Sequence, residues 1–129
     1  MRHINEKYPE TTEIFQMGRT FQGRDIVGIR ITDEEHLAQE TLPVLFVTAA
    51  TSARDWITAM SAVNLIHMLA EYRHLYGEIV DNIDWYIIPV ANPDGYVFSM
   101  SDDGVSFIIL FNFSTKIVLK FSCTKFSSI

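Results

Sequence analysis

From the amino end, hydrophobic and polar positions fall into alternating strand-like and helix-like stretches. Residues 4–10 read as the end of a helix or a loop, closed off by Tyr8-Pro9. Thr12 to Met17 follows as a strand. Gly18 with Thr20-Phe21-Gln22-Gly23 supplies a turn in which glycine is free to take positive φ. Asp25 to Ile31 alternates, with Val27, Ile29 and Ile31 on one face. Period two predicts a half-buried strand, antiparallel to the first. Thr32 to Thr41 is polar and acidic and reads as a solvent loop.

Leu42 to Ala49 is continuously apolar apart from Pro43 and Thr48, the pattern of a strand covered on both faces. A helix is predicted from Ser52, because Trp56, Ala59, Met60, Val63, Ile66, Leu69 and Ala70 recur at helical spacing. Gly77 is placed to end it. Asp84 to Val90 reads as a second buried strand, and Asn92-Pro93-Asp94-Gly95 as a turn. Strand, helix, strand is a βαβ crossover, expected to be right-handed with parallel strands. The fold class is therefore α/β, a partial mixed sheet with one hairpin and one crossover. One helix covers one face, whereas both apolar strands are patterned for two. The expectation is a piece of a larger domain.

Composition changes the picture at one place. Over 129 residues, 48% hydrophobic and 20% charged is a globular balance. All 16 acidic residues lie at or before Asp103, and residues 104–129 contain no Ala, Pro or Arg. That tail reads as an unrelated apolar segment. Val105-Ser106 is what the intron-start codons GTGAGT or GTAAGT encode, so translated intron is the expectation for 104–129, against a divergent terminal strand or helix pair that would use Phe107 to Phe111. A net charge of −6 offers no basic patch to nucleic acid or an anionic membrane surface. No apolar run approaches the roughly 20 residues of a membrane span. Cys123 is the only cysteine, so no disulfide forms within the chain. Residues 1–6 have no apolar stretch behind them, and no signal peptide is read there. The compartment stays open.

Candidate chemistry gathers where the first buried strand turns into the helix, at Thr48-Ala49-Ala50-Thr51-Ser52-Ala53-Arg54-Asp55-Trp56. Such a turn lies at the carboxyl end of the sheet, where open α/β folds bind ligands. Ser52 with Asp55 three residues on reads as a capping box, worth roughly 1 kcal/mol. On the helix, His67, Glu71 and His74 fall at i, i+4 and i+7. That spacing puts them on one helix face, where they read as a solvated row or as weak transition-metal ligands.

Three segments in this order and spacing carry a resemblance: Gly18-Arg19-Thr20-Phe21-Gln22-Gly23-Arg24, Ser52-Ala53-Arg54-Asp55-Trp56-Ile57 and Asn92-Pro93-Asp94-Gly95-Tyr96. Together they resemble the opening of the zinc metallocarboxypeptidases of the carboxypeptidase A type. The likeness runs from about Tyr8 to Asp103 and implies that 1–103 is the N-terminal part of such a catalytic domain. It also implies a carboxypeptidase A-like fold, zinc as cofactor, and peptides cut at their C-terminal residue as substrates. The family is typically secreted with a signal and a pro-segment, and this chain shows neither.

The family's second segment reads His-Ala-Arg-Glu-Trp, and its zinc is held by two His and one Glu, the carboxypeptidase A ligand set. The resemblance places Ser52 at the His position and Asp55 at the Glu position, and matches Arg54 to a substrate-side arginine. A serine hydroxyl is a poor zinc ligand. Asp is shorter than Glu by about 1.5 Å, whereas metal sites tolerate about ±0.2 Å. The second His, the arginines that stabilise the oxyanion and clamp the substrate's terminal carboxylate, and the general-base glutamate of the family belong to positions after the Asn-Pro-Asp-Gly segment, and no histidine follows His74 here. The expectation is a chain that does not hold zinc, has no catalytic residue of its own, and does not hydrolyse peptides. Two alternatives stand beside it: a pseudoenzyme that binds peptide ends or a partner, and a truncated product that self-associates through uncovered sheet.

Overall fold

The computed structural model describes residues 1–32, 42–101 and 120–124, the last as backbone only. The sequence-derived elements at 33–41 and the apolar run Phe107 to Phe111 lie outside the described residues. A short helix α1 (Arg2–Lys7) precedes strands β1 (Thr12–Arg19) and β2 (Asp25–Ile31). After β3 (Val44–Thr48) come α2 (Trp56–Glu71), α3 (Arg73–Val80), β4 (Asp84–Ile88) and α4 (Pro93–Ser99), and β5 (Lys120–Thr124) closes the order. The strands form one mixed sheet in the order β1-β2-β4-β3-β5. β1 and β2 are antiparallel, β3 and β4 parallel. The predicted hairpin and crossover are both present.

The alternation read in β2 sets the core face. Ile29 and Ile31 are fully buried and join Val47, Trp85 and Ile87 beneath Ala62, Ile66, Leu69 and Ala70 of α2. Ile4 of α1 and Val80 of α3 complete this layer, so three helices, not one, cover the face. On the opposite face Phe15 meets the Tyr86 ring edge-on at 5.5 Å, and the Arg30 guanidinium lies 5.5 Å from the same ring centroid. Asp84 and Ile88 are buried as well, so β4 is buried on both faces as its apolar run predicts. Phe15 stands opposite Gly28 in the hairpin register. A Cβ at Gly28 would lie 2.4 Å from Phe15 Cζ and 2.9 Å from the Ile87 carbonyl, so only glycine admits this crossing.

Local readings are corrected in four places. Thr32 belongs to the fold rather than to the solvent loop: its amide donates to the Thr11 carbonyl and the residue is fully buried, because the hairpin pairing runs one residue past β2. The crossover helix breaks at Tyr72, and Gly77 lies inside α3 instead of ending the helix. The buried stripe of α2 ends with Leu69 and Ala70; beyond the break, in α3, Leu75 is 67% exposed while Val80 is buried. Trp56 and Met60, placed on the apolar face by spacing, are 40% and 62% exposed, because the buried stripe runs through Ala59, Ala62 and Ile66. The Asn-Pro-Asp-Gly segment starts a helix. Asn92 is its N-cap, accepting at Oδ1 from the Gly95 amide at 2.9 Å, with Pro93 in the first turn where its missing N–H costs nothing. No described helix is long and apolar enough to cross a membrane.

Candidate functional site

Because β3 and β4 are parallel, both chains leave the sheet at the same edge. The ladder continues past their ends: Ala49 N–H donates to Ile88 O at 2.9 Å, Ala91 N–H to Ala49 O at 2.9 Å and Asn92 N–H to Ala50 O at 3.2 Å. Asn92 Nδ2 then donates to the Thr51 carbonyl at 3.2 Å. Ala50 is held at φ 46°, left-handed backbone that costs a non-glycine residue of order 1 kcal/mol. It is fixed there by its own amide, which donates to Thr58 Oγ1 at 2.9 Å. The result is a tight ledge carrying Ser52, Arg54 and Asp55.

Ser52 is not the helix cap. The chain turns at Ser52, whose carbonyl accepts from the Asp55 amide at 3.1 Å, and the helix N-cap is Asp55 without a side-chain cap bond. Thr58 braces this turn: its hydroxyl accepts from the Ala50 amide at 2.9 Å and donates to the Asp55 carbonyl at 2.7 Å. The Ser52 side chain is exposed, Arg54 is exposed, and Asp55 is buried. As zinc donors the ledge thus presents a solvated hydroxyl and one carboxylate on a short stem. Among the described residues no three His, Cys, Asp or Glu side chains come together to hold an ion. A solvated hydroxyl and a single carboxylate are a poor donor set for zinc.

The second candidate is divided by the fold. α2 ends at Glu71 and α3 starts at Arg73, so His74 does not continue the face of His67 and Glu71. His67 Nδ1 lies 3.6 Å from one Glu71 oxygen while Lys7 Nζ donates to the other at 3.1 Å. The Lys7 hydrogen bond, ahead of the His67 contribution, holds the Glu71 carboxyl below its ordinary range. Glu71 serves as a clasp between α1 and α2.

Sequence reasoning missed the centre that joins the three segments. Asp94, in the first turn of α4, accepts from Arg24 Nη1 at 2.7 Å, from Thr20 Oγ1 at 2.8 Å and from the Gln22 amide at 3.2 Å. Burial pushes the Asp94 carboxyl up, but the bonds from Arg24, Thr20 and Gln22 outweigh it and hold the group below the ordinary range. The receptor for Asp94 is the β1–β2 turn, closed by Gly23 at φ 78° and by Thr20 Oγ1 accepting from the Arg24 amide at 3.0 Å. From the other side Trp56 Nε1 donates to Ser99 Oγ at 2.8 Å, tying the start of α2 to the end of α4. The turn of the hairpin, the ledge and α4 are therefore one bonded unit. The available signal was the presence of an acid and an arginine in separate segments, which does not specify a pair.

A model of the zinc carboxypeptidase family matches residues 1–108. A zinc carboxypeptidase of Simulium vittatum is 34% identical over 99 residues, which is 76% of this chain and 31% of that protein. The protein called inactive metallocarboxypeptidase ECM14 in Saccharomyces cerevisiae is 26% identical over 106 residues, 78% of this chain and 24% of its own length. Among solved structures, the carboxypeptidase A of Helicoverpa armigera superposes with a TM-score of 0.71 at 30% identity, over 80% of this chain and 25% of that one. The chain spans about a quarter to a third of the length of these relatives.

Proposed function

The chain belongs to the zinc carboxypeptidase family, and from that premise we propose that it is a non-hydrolysing member whose site has kept the scaffold and lost the metal. The observation that carries this reading is the pair at the ledge, an exposed Ser52 and a buried Asp55 where the family places a His and a Glu. Neither can be made good locally. A hydroxyl does not replace imidazole on zinc, and the Asp55 backbone is held in a turn whose amide donates to the Ser52 carbonyl at 3.1 Å, on a stem one methylene shorter than Glu. A relative named as an inactive metallocarboxypeptidase supports the reading, since loss of hydrolysis is compatible with this fold.

Residues 1–103 correspond in this reading to the N-terminal part of the catalytic domain, and 104–129 form a tail of other origin. What the ledge retains is recognition chemistry. Arg54 offers a cation at the carboxyl edge of the sheet, suited to the terminal carboxylate of a peptide. The chain binds peptide ends without cutting them.

The test combines turnover, metal content and binding. Hippuryl-arginine and hippuryl-phenylalanine are to be offered to the zinc-supplemented protein, with zinc measured per chain after dialysis. No hydrolysis and no stoichiometric zinc are expected; turnover with one zinc per chain refutes the proposal. Titration with a peptide bearing a free C-terminal carboxylate and with its amide then tests recognition. The free acid is expected to bind more tightly, and Arg54→Ala to abolish the difference.

A further inference from the structure

We propose that β5 is an edge seal: it fills a strand-acceptor site on the outer edge of β3, and without it that edge pairs with a second copy of the chain. The inference does not rest on the fate of the zinc site.

The two ends of the sheet are built differently. At one end β1 protects itself, with Glu13 and Arg19 along its length and a register shift between Gln16 and Gly18 that interrupts the ladder. Charges and bulges are the usual means of keeping an edge from accepting another strand. β3 has neither. Val44-Leu45-Phe46-Val47-Thr48 carries no charge, and its pairing with β4 is unbroken over all five residues. An uncharged five-residue strand rich in β-branched and aromatic residues, with a row of open N–H and C=O groups, is a template for further pairing.

β5 occupies that edge in antiparallel register, from Val44 opposite Thr124 to Thr48 opposite Lys120, again without a shift. The sequence of the tail agrees with the register independently. Phe121 and Cys123 stand opposite Val47 and Leu45, the two β3 residues that belong to the helix-covered core. Lys120, Ser122 and Thr124 stand opposite Thr48, Phe46 and Val44. A slip by one residue would reverse this assignment, so the period-two pattern selects the register that the backbone adopts. Among the described residues, the strand beyond β3 is then one that begins with a lysine.

Two experiments on the full chain test the proposal. In the first, Phe121→Asn with Cys123→Asn removes the alternation while leaving β3 untouched. Sedimentation is expected to show a monomer for the unaltered chain and concentration-dependent association for the variant. Amides of Val44 to Thr48 should exchange roughly tenfold or more faster in the variant monomer. A variant that stays monomeric with unchanged exchange in β3 overturns the seal. The second experiment does not depend on the variant's folding. Leu45→Cys places a thiol opposite Cys123, at a separation that directly opposed antiparallel residues share with disulfides, about 4.5–5.5 Å between Cα atoms. Mild oxidation is expected to cross-link Leu45→Cys within one chain and to leave Phe46→Cys uncross-linked. A cross-link between chains, or none in Leu45→Cys, overturns the proposal.

Discussion

Arg24 and Asp94 are 70 residues apart in sequence and 2.7 Å apart in space. The contact fastens the β1–β2 turn to the first turn of α4, and so joins the hairpin to the carboxyl edge of the parallel pair. Asp94→Asn keeps the shape and removes the charge, and is expected to lower the melting temperature at neutral pH. The sign with pH follows from the lowered carboxyl pKa. The stabilisation is fully present above the unfolded value of about 3.9, and is lost as pH falls through the folded value. The gap between the two proteins should therefore be widest near neutrality and close in acid. A gap that stays constant down to pH 2 would show that the carboxylate contributes nothing through its charge.

A tighter constraint lies within the hairpin. Gly28→Ala puts a methyl group into Phe15 and against the Ile87 carbonyl. Overpacking of this kind costs about 1–3 kcal/mol. Adding Phe15→Leu should recover part of the loss and not all of it, because the carbonyl contact is backbone and cannot move aside. Urea denaturation of the two variants measures both quantities, and full recovery would assign the whole strain to the ring.

Across the sheet Arg30 shares its single Nε–H between the two Asp84 carboxylate oxygens, at 2.9 and 3.1 Å, and donates from Nη2 at 2.7 Å, with both side chains largely buried. The hydrogen bond to Asp84, against an opposing desolvation, raises the Arg30 pKa above its already high value. Asp84→Ala leaves a guanidinium with no local counter-charge of this geometry. The expected destabilisation is about 2–3 kcal/mol, below the roughly 3–5 kcal/mol of a fully buried pair. Replacing both, as Arg30→Met with Asp84→Leu, should restore most of it. If the double variant is no better than the single one, the pair contributes more than compensation for its own burial.

At the junction of α2 and α4, Ser99→Ala removes the acceptor of the Trp56 indole and is expected to cost about 1 kcal/mol. The indole N–H resonance of Trp56 should shift while that of Trp85, bonded to the Ile79 carbonyl, stays in place. Movement of both would point to a general loosening of the helices.

Legibility in the sequence tracked the range of the interactions. Period two in Asp25 to Ile31 and the unbroken apolar runs at 42–49 and 84–90 marked β2, β3 and β4, because burial of a strand face repeats along the chain itself. The shared order of three short segments identified the family. The start of α2 was misjudged because Ser52 and Asp55 fit a capping pattern. The N-cap is Asp55, placed there by a turn that Thr58 braces and that holds Ala50 at a φ of 46° which no sequence rule assigns to alanine. α4 was read as a turn, since Asn-Pro-Asp-Gly starts a turn and a helix with the same residues.

The sequence by itself determined the hydrophobic faces and the hairpin and crossover they imply, all properties of residue type and local spacing. Tertiary structure alone decided that Asp94 meets Arg24 and Thr20, that the helix breaks at Tyr72 so His67 and His74 part company, and that Lys120–Thr124 lies on β3. Each of these depends on where separate elements come to rest. Their partners are chosen by the packing of the sheet and its helices, which no local window contains.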